Sequence, residues 1–464
     1  MINKKLARKL IDLGLETGAD FVELYVEDTT SSSINFEKGI VESVGYNSSI
    51  GCGIRLLKEN KSIYGFTNEL KEKTLVNLML KLRDGFHDKK IVESQNFVDK
   101  KFKHFNKVVD SYFDTPMEKK IEILKTVHDY SKNYSPLVNR AVVSLLASKK
   151  LVHIYNSKGM HTKDNREYNR LMLKVFIADK EKREHNFDAH GELGGLAFIN
   201  KMDLKKFAEE CTKDTIGMLT ALPCPSGKMP VIIGNGTGGV LFHEACGHSL
   251  EATALARDMS NFSNRMGDKI ASDIVTAYDD GTIPNAWGSG DIDDEGNLTQ
   301  KNCLIKNGIL TGYLIDSFNG RKLKMEPTGC ARRQNYKREP TSRMSNTYID
   351  KGSSTVDEII KNTKLGLYCK SFGGGSVSPV TGEFEFVCNV AFIVRDGEIK
   401  EQVKGASIIG TSEEVLKNID MIADDLELDT GYCGSASGWV PVRTGQPTLR
   451  IKEMLVGGSG GKLV

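Results

Sequence analysis

The stretch LFHEACGHSLEA, residues 241–252, holds the side chains whose types and spacing best suit catalysis. His243 and Glu244 are adjacent, and His248 follows five residues after the first histidine. Two imidazoles can hold a zinc ion, and a neighbouring glutamate can act as general base toward a water molecule that the metal activates. The pattern therefore indicates a metal-dependent hydrolase, with His243 and His248 as metal ligands and Glu244 as the base.

The spacing of the two histidines places a demand on the backbone. Residues five apart on a regular α-helix lie about 140° apart around its axis, so HExxxH cannot chelate from an undistorted helix. A π-bulge would bring both histidines to one side, and Gly247 would ease either that bulge or an early end to the helix. The motif therefore predicts a kinked helix. Two inert, hydrogen-bonded core histidines are the alternative interpretation.

A catalytic zinc site needs a third protein ligand and an open position for water. Nearby candidates for that ligand are Cys246, Glu251 and Asp258, and Cys433 in GYCGSASG is a distant one. Sequence spacing does not choose among these four.

A glycine-rich turn precedes the motif. Gly234, Gly236 and Gly239 spell GxGxxG, the pattern of dinucleotide-binding turns. The acidic residue expected about 20 residues later is absent, and hairpins follow in place of a strand–helix–strand unit. A dinucleotide-binding oxidoreductase is therefore the weaker alternative. We predict instead a close-packed turn that positions the following helix in a confined part of the fold.

Three further segments each allow a functional or a structural interpretation. DIDDEGN, residues 291–297, begins like a calcium loop, but Asn302 stands where such a loop needs a glutamate, so an acidic turn is predicted. The basic segment ARRQNYKREPTSRM, residues 331–344, is interpreted as a solvated loop rather than a nucleic-acid patch. The glycine-rich FGGGSVSP, residues 372–379, suits a tight bend of a sheet or the close approach of a peptide.

Hydrophobic periodicity indicates the elements that must position these residues. Leu6, Leu10 and Leu13 lie at helical spacing in the first twenty residues, which predicts an amphipathic helix. Further helices are predicted near residues 117–132 and 203–219.

Strands are indicated by alternation and by turn residues. Val22, Leu24 and Val26 alternate with charged neighbours, which predicts a half-buried strand, and glycines punctuate further strands up to residue 66. The pairs Asn307-Gly308 and Asp396-Gly397 predict type I′ hairpins, because both turn residues tolerate positive φ.

These elements predict an α+β protein of two domains. Residues 1–225 form a mixed α/β domain with glycine-punctuated antiparallel strands. Residues 226–464 form a strand-rich domain that carries the HExxxH helix, and the prolines and glycine of LPCPSGKMP mark the boundary. Consecutive hairpins with few crossover helices favour antiparallel sheet in the second domain.

The amino-acid composition narrows the classes of partner and the cellular location to be expected. The 464 residues are 39% hydrophobic and 27% charged, with a net charge of +2, so no polyelectrolyte partner such as nucleic acid is implied. Nine cysteines without CxxC motifs favour reduced thiols and a cytoplasmic location. No apolar run approaches the roughly 18 residues of a membrane span, so no membrane association is expected.

Longer stretches of the second half carry a family resemblance. Among them are GNGTGGVLFHEACGHSLEA, PTGCARRQNYKREPTSRMSNTYI and GYCGSASGWVPVRTGQPTLRI. With these motifs the chain resembles the TldD/PmbA family of metallopeptidases, in its catalytic TldD branch. The resemblance implies that His243, His248 and Cys433 hold zinc and that Glu244 is the catalytic glutamate. The non-catalytic TldE branch lacks HExxxH. Cys246 departs from the family's motif, and we expect it to pack as a small apolar residue.

The resemblance also implies substrates and partners. It implies cleavage of short or unfolded peptides, and a dimer, either of two copies or with a TldE-like subunit, whose active site faces an enclosed chamber. Residues 1–225 would then serve dimerisation and the chamber, with both domains contributing contacts to the dimer. A role near the substrate channel is implied for the basic segment at residues 331–344. Members of the family are also described as modulators of DNA gyrase, so a regulatory or binding protein is the alternative from another class.

Overall fold

The computed structural model describes residues 1–461, and strands predominate in that part of the chain. Four sheets and nine α-helices lie within it. The helices are α1 (Lys4–Leu15), α2 (Glu72–Arg83), α3 (Met117–Lys132), α4 (Leu204–Thr220), α5 (Val240–Ala245), α6 (Ala252–Leu255), α7 (Ser317–Leu323), α8 (Val356–Lys361) and α9 (Ser412–Asn418). The chain is thus an α+β protein, as its sequence predicts.

The first sheet is built from consecutive strands and is antiparallel apart from one short pairing of β4 with β6. Its strands are β1 (Phe21–Glu37), β2 (Ile40–Lys58), β3 (Lys61–Thr67), β4 (Val98–Asp99), β5 (Val138–Asn156), β6 (Met160–Asp179) and β7 (Lys182–Leu193). Their order in space is β3-β2-β1-β5-β6-β4, and β7 lies beside β6. The long strands β1, β2, β5 and β6 pair with their neighbours over almost their whole length.

The N-terminal end of β1 is buried on both of its faces. Val22, Leu24 and Val26 pack with residues of α1 and α2, but the charged residue between the first two is buried as well. That residue is Glu23, whose carboxylate lies 2.8 Å from the guanidinium of Arg333. The prediction of a half-buried strand was therefore wrong. The face of β1 that carries Glu23 is also buried, because Arg333 covers it and pairs with the carboxylate.

A second sheet and a short ribbon are built from residues 277–349 together with a hairpin at residues 427–446. The sheet's strands are β10 (Ala277–Asp280), β11 (Lys301–Lys306), β12 (Ile309–Leu310), β15 (Asn346–Ile349), β21 (Glu427–Ser435) and β22 (Gly438–Gln446), in the order β12-β11-β10-β15-β22-β21. The ribbon pairs β13 (Ala331–Arg332) with β14 (Thr341–Ser342). β22 pairs in parallel with β15, so the prediction of antiparallel sheet in this half of the chain was wrong at this pairing. The pairing attaches the hairpin of β21 and β22 to strands from earlier in the chain.

The remaining strands form a sheet that closes on itself. They are β8 (Leu222–Pro223), β9 (Gly227–Ile233), β16 (Leu365–Val377), β17 (Glu383–Arg395), β18 (Glu398–Lys404), β19 (Ser407–Thr411), β20 (Ile419–Ile422) and β23 (Leu449–Gly457). Because β16 pairs with both β9 and β17, the five strands β16, β9, β23, β19 and β17 make a closed ring. α5 packs against β16 and β17, and Leu241, Phe242 and Ala245 join the large core that this ring helps to enclose.

Local predictions from the sequence are confirmed in several places. α1 lies within the first twenty residues, α3 covers the predicted range, and α4 begins and ends within one residue of it. The turns Asn307-Gly308 and Asp396-Gly397 have positive φ at both residues and join β11 to β12 and β17 to β18. Across residues 1–461 the helices are all too short or too polar to cross a membrane. The division into two domains near residue 225 stays a prediction.

Candidate metal centre

The glycine-rich turn brings α5 close to the strand β22. Residues 236–239 form a 3₁₀ turn between β9 and α5. A Cβ at Gly239 would lie 2.1 Å from the backbone nitrogen of Gly445, so only glycine allows this approach. A dinucleotide-binding unit would place the following strand beside β9, but β10 belongs to another sheet. The turn is therefore the close-packed one that was predicted, and the oxidoreductase alternative has no structural support.

The helix that carries HExxxH ends inside the motif. α5 ends at Ala245, Cys246 leaves helical geometry with φ −121° and ψ −48°, and a 3₁₀ turn covers residues 247–250. A Cβ at Gly247 would lie 2.0 Å from Sδ of Met344, so a larger residue does not fit at this bend. The early end of the helix, rather than a π-bulge, is what realigns the two histidines.

The break brings His243 and His248 together with the distant Cys433. The centroids of the two imidazole rings are 5.1 Å apart, and the rings are nearly perpendicular at 83°. Cys433 lies on β21, with its Sγ 3.2 Å from Nε2 of His248. One nitrogen or sulfur atom from each of the three residues lies within 4.8 Å of the others. Three side chains of metal-ligating type therefore converge on one point.

The charge state of the cluster suits a metal. Burial alone would raise the pKa of the Cys433 thiol, but the charge and hydrogen bonds of His243 and His248 lower it to about 3. Burial would lower the pKa of His248, but Glu251 and Cys433 raise it well above its usual value. Without a metal, these two shifts describe a thiolate beside an imidazolium. The thiolate is the form in which cysteine binds zinc, and a zinc ion would take the place of the proton on Nε2 of His248.

The donor set fits zinc. One thiolate and two imidazoles match the three-ligand sites of catalytic zinc, which keep a further position open. Nδ1 of His243 is buried and has no hydrogen-bond partner among the described residues. One buried polar atom of the cluster is therefore left without a partner from the protein, and a bound metal would account for it. We therefore regard the cluster as able to hold a zinc ion.

Glu244 lies beside the cluster and outside it. Its Oε2 is 3.6 Å from Nε2 of His248, and its side chain is 25% exposed. The carboxylate can therefore reach a small molecule at the centre and exchange protons with it.

The other ligand candidates lie elsewhere. Cys246 is fully buried within the large core, where burial raises the pKa of its thiol, so it packs as a small apolar residue as expected. Asp258 is exposed on a turn. Glu251 contacts Nδ1 of His248 at 3.2 Å, on the ring edge away from Cys433. Its carboxylate therefore contacts the outer edge of one histidine of the cluster and is not one of the convergent three.

The acidic turn predicted at residues 291–297 is buried rather than solvated. Asp293 accepts hydrogen bonds from the backbone N–H groups of Glu295, Asn297 and Ala331, which use the oxygens that a calcium ion would need. The turn thus joins its own loop to β13, and it is an acidic turn as predicted.

The basic segment at residues 331–344 is mostly not a solvated loop, so that prediction was wrong for its buried members. Lys337 and Arg338 are exposed, but Arg333 and Arg343 are buried. Arg343 donates a hydrogen bond of 2.7 Å to the carbonyl of Cys433. Sequence spacing gave no sign of this contact, because the two residues lie far apart along the chain.

Matches to models of one protein family cover most of the chain. Three family models match it: PmbA/TldA metallopeptidase domain 1 at residues 22–82, the central domain at residues 110–219 and the C-terminal domain at residues 226–458. The chain is 34% identical to a metalloprotease TldD homolog of Haemophilus influenzae, over 97% of this chain and 95% of that one. A zinc metalloprotease TldD homolog of Saccharolobus solfataricus is 31% identical over 55% of this chain and 57% of its own.

Solved structures share the fold. TldE from Thermococcus kodakarensis aligns with a TM-score of 0.78 at 19% identity, over 98% of this chain and all of that one. A protein of Thermotoga maritima described as a putative modulator of a DNA gyrase aligns with a TM-score of 0.78 at 18% identity, over 98% and 100% of the two chains. At these identities the likeness concerns the fold alone.

Proposed function

Because this chain belongs to the PmbA/TldD metallopeptidase family, we propose that it is a zinc-dependent peptidase that hydrolyses short or unfolded peptides. The observation that carries the proposal is the convergence of His243, His248 and Cys433, with Glu244 directly beside them. The three convergent residues would hold the metal, and the glutamate would act as general base.

The chemistry divides between the metal and the chain. When bound, zinc polarises a substrate carbonyl and lowers the pKa of a water molecule. Glu244 accepts the proton of the attacking water and passes it to the leaving amine, which balances the proton over hydrolysis of the peptide bond. His243 and Cys433 are almost fully buried, so the ligands themselves are shielded from bulk solvent while Glu244 stays accessible.

One stretch of β16 supports an extended peptide as substrate. β16 pairs with β9 only at Leu367–Cys369, whereas the glycine-rich residues 374–377 pair with β17 alone among the described strands. One edge of this stretch is therefore open to the main chain of a peptide, which gives affinity with little sequence preference. The residues Gly373 to Gly375 are our candidate edge, and they would admit a close backbone.

The proposal predicts metal-dependent cleavage of unfolded chains. Purified protein should contain zinc and should degrade a reduced, denatured protein faster than the same protein in its folded form. A chelator should abolish this cleavage and added zinc should restore it, because the three ligands alone supply no Lewis acid. The measurement is product formation by mass spectrometry together with elemental analysis of the same sample.

Two results would contradict it. Equal digestion of folded and denatured substrate would remove the preference for unfolded chains. A chain that purifies without metal, binds none and cleaves nothing would favour the regulatory alternative.

We further propose that the chain works as a dimer, of two copies or with a TldE-like subunit, with residues 1–225 contributing to the interface and the chamber. β2 supports this because it exposes apolar side chains along one stretch, at Ile40, Val44 and Tyr46. A self-associating chain should give the mass of a dimer in light scattering. A chain that is monomeric and inactive alone, but active with a TldE-like subunit, would select the heterodimer. An active monomer would contradict both arrangements.

A further inference from the structure

One of the two histidines of the candidate centre is oriented by a carboxylate. Nδ1 of His248 lies 3.2 Å from Oε2 of Glu251, while Nε2 of the same ring faces Sγ of Cys433 at 3.2 Å. An Nδ1–H that donates to a carboxylate fixes the tautomer, so the lone pair of Nε2 points toward the centre.

The carboxylate of Glu251 is itself held from behind. It is buried, and its Oε1 accepts a hydrogen bond of 3.3 Å from the backbone N–H of Met344. The Nε of the next residue back, Arg343, lies 3.8 Å from the same oxygen. The carboxylate therefore has the guanidinium of Arg343 on one side and the imidazole of His248 on the other, so its position is fixed from both sides.

Arg343 also holds the strand that carries the third ligand. Its side chain is fully buried and donates to the carbonyl of Cys433 at 2.7 Å, the carbonyl of Gly438 at 2.8 Å and the hydroxyl of Ser437 at 3.0 Å. These contacts span both strands of the β21–β22 hairpin at its turn. One guanidinium therefore connects the support of His248 with the backbone of Cys433.

We propose that Glu251 and Arg343 are positioning residues for the metal: Glu251 orients His248, and Arg343 fixes the distance between that histidine and Cys433. This inference rests on the proposed function. It assigns a role to part of the basic segment at residues 331–344, whose other buried arginine, Arg333, contacts Glu23 and not the metal centre.

The test compares the zinc affinity of Glu251→Gln and Arg343→Lys with that of the wild type, by competition with a chromophoric chelator. Glutamine keeps the size of Glu251 but loses its charge, and lysine cannot bridge carboxylate and carbonyls at once. We expect each variant to bind zinc about 10- to 100-fold more weakly, the usual cost of losing an outer partner of a ligand. Arg333→Lys is the matched control, since it alters a buried arginine of the same segment.

Cobalt substitution separates positioning from a general loss of stability. The visible absorption of bound cobalt reports ligand geometry in the folded protein, so both variants should shift it while Arg333→Lys leaves it unchanged. Unchanged affinity and spectrum in Glu251→Gln would overturn the role of Glu251, and the same result for Arg343→Lys would overturn that of Arg343. A wild-type chain that binds no zinc would overturn the proposed function and this inference together.

Discussion

Replacing Glu244 with glutamine is expected to lower kcat for peptide cleavage by about 10²- to 10⁴-fold, which is the contribution of a well-placed general base. The glutamine retains the size of the side chain but cannot take up the proton of an attacking water. Zinc should remain bound, because Glu244 lies beside the three convergent residues proposed as ligands and is not one of them. Product formation from a denatured substrate and elemental analysis, both on the same sample, measure the two effects separately. Glu244→Ala should give the same separation.

A matched control is available in another glutamate of similar exposure. Glu184 on β7 is 21% exposed in its side chain and pairs with Lys404 at 2.8 Å, and it belongs to no part of the candidate centre. Glu184→Gln should cleave at the wild-type rate. If Glu244→Gln also cleaves at that rate with its zinc in place, Glu244 has no part in the chemistry.

Removing the thiolate of Cys433 is expected to abolish cleavage by removing the metal. In Cys433→Ala only His243 and His248 remain as convergent ligands, and two imidazoles are fewer than a catalytic zinc site uses. The loss of zinc affinity should therefore exceed the roughly 100-fold that loss of an outer partner costs. Competition with a chelator measures the affinity, and the folded state is checked by circular dichroism.

Cys246→Ala is the control for Cys433→Ala, because it removes the thiol that lies inside the HExxxH motif itself. Cys246 is fully buried in the large core, so alanine leaves a small cavity and should leave zinc binding intact. The reverse pattern, with zinc retained in Cys433→Ala and lost in Cys246→Ala, would contradict the assignment of the third ligand.

Much of the local structure was predictable because it depends on neighbouring residues. Helical spacing placed α1, α3 and α4 within a few residues, and the turn pairs Asn307-Gly308 and Asp396-Gly397 were correctly predicted as hairpins. The HExxxH spacing also required a departure from a regular helix. It did not decide between a bulge and an early end, since that depends on how Met344 packs against Gly247.

The parts that failed depend on partners far apart in the sequence. Glu23 was expected to face solvent, because no neighbouring residue in the sequence indicates that Arg333, 310 positions later, covers it. The same holds for Arg343, whose contacts with Glu251 and Cys433 exist only after the sheets have assembled. Spacing alone also left four candidates for the third ligand, and only the family resemblance pointed to Cys433.

The separation of the ligands along the chain has a consequence for protein synthesis. Cys433 lies 185 residues after His248, on a hairpin close to the end of the chain. Translation starts at the N-terminus, so both histidines leave the ribosome while the codon for the thiol is still unread. While the segment from His248 to Cys433, 185 residues later, is being made, a nascent chain would therefore carry the two histidines of the proposed ligand set without the thiol. Under the proposed ligand set, cleavage of the chain's own unfolded segments is therefore not expected during this period.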